Sequence, residues 1–325
     1  MLPEITAPPV RIPVRKKEFP GRFGLALALG AEIALFALLS PYFFTTENLL
    51  NVSLQTSIIA IIAVGMTFVI LTAGIDLSVG ALVAMSGVLA TSMLQLGLAW
   101  TWSLPLAMLV VVALGATSGS LAGMFVTKFN ITPFIVTLAL MTIWRGLAYM
   151  YTDGRPIWGL PEEFSLIAAG RVFQVPFPTI IMVGVYCWAH VVLNHTRFGR
   201  YVYAVGGNKE AARLAGIDTK KILVSVYIIC GVLASLSGMI LASRMNSGQP
   251  NAGQMYELDV IAAVVVGGAS LFGGRGTVLG TFLGAMLIGI LHNGLNLLNV
   301  NSYVQQVTVG IVILAAVLLD QRKTR

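Results

Sequence analysis

An all-α, polytopic bundle of membrane-crossing helices is the fold class this sequence predicts, on three observations. Only 10% of the 325 residues are charged, against 57% hydrophobic, and the mean hydropathy is +0.87. A soluble domain carries about 25% charged residues, so this chain cannot cover a water-facing surface of its own. Second, the apolar residues fall in ten separate runs. Third, lysine and arginine collect on alternate connections between those runs, the bias by which membrane chains take their orientation.

The elements follow in order. Residues 1–22 make a polar, proline-rich tail with Arg11, Arg15, Lys16, Lys17 and Arg22, the basic flank expected before a first span. No small-residue cleavage site follows the first apolar run, so a cleavable leader is not expected. The ten expected spans are Phe23–Leu39, Ser53–Thr72, Val79–Leu96, Leu104–Phe125, Ile131–Met150, Thr179–Leu193, Leu223–Ser243, Leu258–Phe272, Thr277–Leu297 and Tyr303–Leu319. Crossing about 30 Å of hydrocarbon takes roughly 17–25 helical residues. The sixth and eighth runs are short on that measure, as tilted helices, helices buried by neighbours, or broken helices lining a pathway are.

With the N-terminus inside, the inner connections also hold Lys128, Arg275, the end residues Arg322, Lys323 and Arg325, and six basic residues of the 194–222 loop. Only Arg155, Arg171 and Arg244 fall outside, and Arg145 sits near the outer end of a span. Both termini are therefore expected to be cytoplasmic. The expected organisation is a tail (1–22), one transmembrane domain (23–319) with a cytoplasmic loop at 194–222, and a second tail (320–325). The long connection Tyr151–Pro178 is expected outside.

Small residues mark the expected helix contacts. Gly115, Gly119 and Gly123 lie at four-residue spacing in the fourth span, and Gly276, Gly280 and Gly284 lead into the ninth. Each trio falls on one helix face, where backbones can approach closely.

Several function classes are excluded. The formal charge of +7 is spread over short loops without interleaved aromatics, so nucleic acid is not an expected partner. Cys187 and Cys230 lie in apolar runs and read as small hydrophobes rather than a disulfide or metal ligands. No Gly-Lys-Ser/Thr phosphate cradle occurs, the glycine-dense stretch 267–276 included, so the chain carries no Walker-type ATPase. No Ser-His-Asp set, metal cluster or pair of catalytic carboxylates can be assembled. The expectation is a non-enzyme without cofactor or metal.

The polar residues inside or beside the spans carry what chemistry there is. Asp76 would be expensive in lipid; followed by Leu77 and Ser78 it suits a cap for the third span, with a proton-relay acid or a solute contact as the other uses. Glu32 stands alone in mid-span and is expected to face another helix. His190 reads as interfacial. Asn293 and Asn296 share a face, either to bond the hydroxyls of a solute or to tie helices together. A solute path, if present, draws on Thr67, Asp76, Ser78, Thr137, Asn293 and Asn296.

The 194–222 loop holds Arg197, Arg200, Lys209, Arg213, Lys220 and Lys221 against Glu210 and Asp218. Gly206-Gly207 is read as a break and Asn208 as a helix cap. Lys209, Glu210, Ala211, Ala212, Arg213, Leu214 and Ala215 follow, with Gly216 as the stop. Ala211, Leu214 and Ala215 share one small apolar face. So short a helix is marginal alone and calls for a partner surface; a solvated basic loop that only fixes topology is the alternative.

Three stretches, in order, resemble one family. Val64 to Ile70 running into Gly74-Ile75-Asp76-Leu77-Ser78-Val79-Gly80 is similar to the second-to-third span signature of ribose-type permease subunits of ABC importers. Phe198-Gly199-Arg200 through Ala204 to Ile217 resembles that family's cytoplasmic coupling loop, and Gly267 to Gly280 its late glycine-rich segment. The likeness covers nearly the whole chain after the tail. It implies a type II importer-like permease domain in a bacterial plasma (inner) membrane, paired with a second permease subunit, identical or different, and surrounded by membrane lipid. It further implies a cytoplasmic ATP-binding subunit below and an extracytoplasmic sugar-binding protein above. Asn208 to Gly216 would then be the helix that seats in the ATPase, and the solute a monosaccharide. A branched-chain amino acid or nucleoside permease of the same family, and an ion-coupled carrier using Asp76 or Glu32, are the alternatives.

Overall fold

The computed structural model describes residues 21–324; the tail 1–20 and Arg325 lie outside the described residues. Among the described residues thirteen α-helices are joined by short connections, with one two-stranded hairpin. They are α1 (Gly21–Leu39), α2 (Thr46–Leu71), α3 (Val79–Leu94), α4 (Trp100–Lys128), α5 (Pro133–Thr152), α6 (Glu162–Ala169), α7 (Phe177–His195), α8 (Arg197–Gly207), α9 (Lys209–Leu214), α10 (Thr219–Met245), α11 (Tyr256–Val266), α12 (Val278–Leu297) and α13 (Ser302–Thr324). The hairpin pairs β1 (Arg171–Val172) with β2 (Val175–Pro176). Among the described residues six helices are long and apolar enough to cross a membrane: α2, α4, α5, α7, α10 and α12. Shorter apolar helices run over Gly24–Leu39 and Val79–Leu94.

α2 is the axis of the molecule. Every residue from Thr56 to Leu71 is buried, which is why its sequence is apolar on all sides rather than on one stripe. α10 lies along it so closely that a Cβ added to Gly65 would come 2.7 Å from Cys230 Cα. α4 packs on the far side of α10 through Gly115, Gly119 and Gly123. A Cβ on these would approach Val232 Cα at 2.7 Å, Ile228 Cα at 2.5 Å and Val224 Cα at 2.6 Å. Glycine at each place lets the two backbones touch. The outer helices α4, α5 and α7 keep Leu109, Ile143, Val183 and Val191 exposed, the surface that hydrocarbon would solvate.

The bundle has two distinct ends. One carries α8 and α9; the other carries α6 and the β1–β2 hairpin. α2 runs from the hairpin end to the α9 end, and α10 runs back. α3 and α11 are partial crossings. Between α2 and α3 the chain turns through Ala73 (φ 59°) and then runs without regular structure to Ser78. Between α10 and α11 residues 246–255 turn back into the bundle. Gly248 still pairs with Ile157 at the hairpin end, whereas Gly253 rests against Gly80 and Val83 of α3. Arg145 of α5 donates to Pro250 O at 2.9 Å and Ala252 O at 2.7 Å, holding this descending segment. The run Leu258–Phe272, short in the sequence, is shorter still as a helix: α11 has 11 residues and stops at Gly267.

Candidate coupling and translocation sites

The 194–222 loop folds into two helices rather than one. Thr196 opens α8 by accepting from Gly199 N at 3.2 Å. α8 continues through Gly206 and Gly207, so the break falls at Asn208 and not at the glycine pair. Packing explains this. Val202 and Val205 of α8 are buried in the main core, and a Cβ at Gly206 would collide with Leu71 O. The glycine is kept for contact with the end of α2, not for chain reversal.

Asn208 then adopts an extended conformation and caps α9, its Oδ1 accepting from Ala211 N at 2.9 Å. α9 ends in a left-handed Gly216 (φ 83°). Gly216 N bonds Arg213 O at 3.0 Å and Ile217 N bonds Ala212 O at 3.1 Å, the two reverse bonds that close a helix at a C′ glycine. Glu210 and Arg213 pair on its surface at 2.9 Å. Asp218 opens α10, accepting from Lys221 N at 3.1 Å. Those bonds, with the Lys221 ammonium 3.2 Å away, hold the Asp218 carboxyl below the usual carboxylate range. Of the short helix, Ala212 is the residue that points inward; Ala211, Leu214 and Ala215 are exposed together, Leu214 at 83%.

The glycine-dense stretch 267–276 is the seat of this loop. Gly273 and Gly274 take left-handed conformations (φ 84° and 69°), which only glycine adopts freely. Gly274 N donates to Leu71 O at 2.9 Å. Tyr203 of α8 donates to Gly276 O at 2.9 Å. The end of α2, the body of α8 and the segment before α12 therefore meet at one place. Gly280 and Gly284 of α12 lie directly on the α11 backbone at Gly267 and Ala263, and a Cβ on Gly276 would sit 2.8 Å from Ala269 Cβ.

Most polar residues of the spans are tied by hydrogen bonds; Thr67, Asp76, Ser78, Thr137 and Asn293 are buried, whereas Asn296 and His190 are exposed. Asp76 is only 2% exposed; its Oδ1 accepts from Ser78 N at 2.9 Å and Ser78 Oγ at 2.6 Å at the start of α3. Thr67 and Thr281 share a hydrogen bond of 2.7 Å between α2 and α12. Thr137 returns its hydroxyl to Pro133 O at 2.9 Å. Asn293 exchanges two bonds with Asn48, at 3.1 and 2.8 Å, and Asn296 accepts from Gln305 at 2.8 Å. His190 is bonded to Asn194 at 3.0 Å. Glu32 is half-buried on α1, and its Oε2 has no hydrogen-bond partner among the described residues. At the hairpin end a cavity of about 310 Å³ is lined by Asn51, Arg171, Arg244 and Asn246, among others. Neither arginine forms an ion pair among the described residues.

Comparison with known proteins agrees with this assembly of parts. The family model described as "Branched-chain amino acid transport system / permease component" matches residues 48–317. The ribose import permease protein of Escherichia coli is 48% identical over 301 residues, 91% of this chain and 92% of that protein. The ribose import permease protein of Bacillus subtilis is 47% identical over 305 residues, 93% of this chain and 94% of that protein. The D-allose transport system permease protein of Escherichia coli is 37% identical over 306 residues, 93% of this chain and 92% of that protein. No solved structure matches. A match through nearly all of the chain, over both the core helices and the α8–α9 loop, makes this protein a member of that family of multi-pass membrane transport permeases.

Proposed function

We propose that this chain is the transmembrane permease subunit of an ATP-driven, binding-protein-dependent importer of a monosaccharide, ribose or a close relative of it. The observation that carries the reading is the similarity to ribose import permeases over nine-tenths of both chains. The geometry of the α9 end supports it. An exposed short helix, closed at both ends, follows α8, and α8 itself rests on the end of α2 and on the 267–276 segment, so a push on α9 reaches the central helix through α8. The relatives matched do not favour the amino acid, nucleoside or ion-coupled alternatives.

In this reading ten segments enter or cross the bacterial inner membrane: α1–α5, α7 and α10–α13. Both termini and the 194–222 loop are cytoplasmic. Asn208, Lys209, Glu210, Ala211, Ala212, Arg213, Leu214, Ala215 and Gly216 engage a separate ATP-binding subunit, since this chain brings no ATPase of its own. The hairpin end, with Arg171 and Arg244, meets the sugar-binding protein, and a second permease subunit completes the pore. Thr67, Asp76, Ser78, Thr137, Asn293 and Asn296 belong to the wall of the path, fixing the helices that border it. ATP binding closes the ATPase pair, α9 moves with it, and the packed helices rock between two arrangements.

The test is a detergent pull-down with this chain as bait, beside an Ala211→Trp variant, followed by ATP-dependent uptake of radiolabelled ribose in vesicles. The wild-type chain is expected to bring down an ATPase subunit and the variant to lose it while still inserting in the membrane. Uptake that follows the proton gradient and ignores ATP would overturn the reading.

A further inference from the structure

Segment 246–255 reaches the middle of the membrane layer. Gly248 is bonded to Ile157 at the hairpin end, at 3.0 and 2.8 Å. Five residues later, a Cβ on Gly253 would lie 2.7 Å from Gly80 O and 2.8 Å from Val83 Cγ1. Val83 stands 11 residues before the end of α3 at Leu94, about 16 Å down the helix at 1.5 Å per residue. That is half of a hydrocarbon layer about 30 Å thick. α11 covers the other half: its 11 residues span about 16 Å.

Irregular backbone at that depth persists only where protein encloses it or where it borders a water-filled cavity. One side of the segment is enclosed, by Arg145 on the carbonyls of Pro250 and Ala252. The other side is open. Asn251, Gln254 and Met255 are exposed, and neither amide side chain has a hydrogen bond among the described residues. Beside them Glu257 has a buried Oε2 without a hydrogen-bond partner, set against Gly80. Unpaired amides in mid-membrane are disfavoured against lipid and mark pathways.

We propose that Asn251 and Gln254, with Glu257 behind them, form a contact point for a neutral polyhydroxylated solute on the transport path. The assignment rests on the sugar-importer reading above. Each amide offers one acceptor oxygen and two donor hydrogens, and the carboxylate offers two acceptors, which together match hydroxyl groups that both give and take. No net charge is demanded of the solute, because Arg145 lies within electrostatic reach of Glu257. These residues sit where α3 and α11 both begin, so rocking of either half-helix would open or close the contact.

The test uses the full importer with its ATPase and binding protein in membrane vesicles. Asn251→Cys and Gln254→Cys are made with Cys187→Ser, Cys230 being buried. They are exposed to a charged, membrane-impermeant methanethiosulfonate from each side and in each nucleotide state. Phe173→Cys in the hairpin, 96% exposed, is the water-facing control. Ile143→Cys, exposed on α5 beside Arg145, is the lipid-facing one. Both test positions are expected to react in at least one state, to slow several-fold when ribose and binding protein are added, and to differ from the unreactive Ile143→Cys. Three results would overturn the proposal: no reaction in any state, reaction without protection by sugar, or a disulfide between two copies at Gln254→Cys in every state, which would make the face a sealed interface. If the Cys187→Ser parent itself shows no ATP-dependent ribose uptake, it is the importer reading that fails.

Discussion

Asn293 and Asn48 show how the bundle handles polarity at the scale of one residue. They exchange two hydrogen bonds across α12 and α2, and both are buried. Asn293→Ala leaves the Asn48 carbonyl oxygen without its partner, and a buried polar group left unsatisfied costs about 1–3 kcal/mol. The expected result is a lower unfolding temperature in detergent with the solute preference of uptake unchanged. The double change to Leu at 48 and 293 should recover part of the loss and no more, because it removes the orphaned amide oxygen but takes from Phe43 O the Asn48 donor now 2.9 Å away. A shift in sugar preference without loss of stability would instead put Asn293 in contact with solute. The sequence left Asn293 and Asn296 between these uses because their partners, Asn48 and Gln305, are set by tertiary folding: Asn48 lies 245 positions away. Asp76 has its partner only two positions on, but it is not itself the cap of α3: Ser78 holds that position, and Asp76 accepts from the Ser78 N–H and hydroxyl.

At the scale of one element, the α8–α9 loop separates what local pattern carries from what it does not. The α9 cap, its three-residue apolar face and the Gly216 stop are all local features and were legible. α8 was not, because the groups that anchor it, Val202 and Val205 in the core, Phe198 against Phe68, Tyr203 on Gly276 O and Gly206 on Leu71, find their partners on distant elements, which a hydropathy count does not register. The exposed Leu214 belongs to α9 as an unused apolar anchor. Burying a leucine is worth about 1.5–3 kcal/mol, so Leu214→Ala is expected to weaken ATPase binding by about one to two powers of ten with thermal stability unchanged. Titration of the ATPase against the detergent-purified chain measures it. The start of α10 has a pH signature. The Asp218 carboxyl is held below its usual value by Lys221, so the ionised cap binds best in the folded state. Its stabilising contribution is therefore complete above the ordinary carboxylate pKa of about 4 and is lost as pH falls through the depressed value. Amide exchange at residues 219–222 should be faster in Asp218→Ala than in wild type at neutral pH, and the difference should vanish in stronger acid.

At the scale of the whole molecule, the all-α polytopic fold was visible because lipid demands long apolar stretches, whatever their neighbours, and six of the described helices are long and apolar enough to cross a membrane. The re-entrant course of 246–255 was not visible. Its polar and small residues read as an external connection, and the group that holds it, Arg145, comes from another helix more than a hundred positions earlier. The same non-local logic joins the two ends of the molecule. Gly206 of α8 touches Leu71 O at the foot of α2, and Gly274 N bonds that same carbonyl at 2.9 Å. α2 is buried from Thr56 to Leu71, packed on α10 and α12, so a displacement at this foot cannot be absorbed by loose packing. A methyl group at Gly206 would force α8 off Leu71 while leaving the exposed face of α9 untouched. Gly206→Ala is therefore expected to keep ATPase binding and basal ATP hydrolysis, and to lower the solute carried per ATP hydrolysed. Paired hydrolysis and uptake measurements in vesicles read this ratio directly. If both fall together, the contact at Gly206 serves folding alone; if hydrolysis holds and uptake falls, the α8–α2 contact is the joint through which α9 drives the bundle.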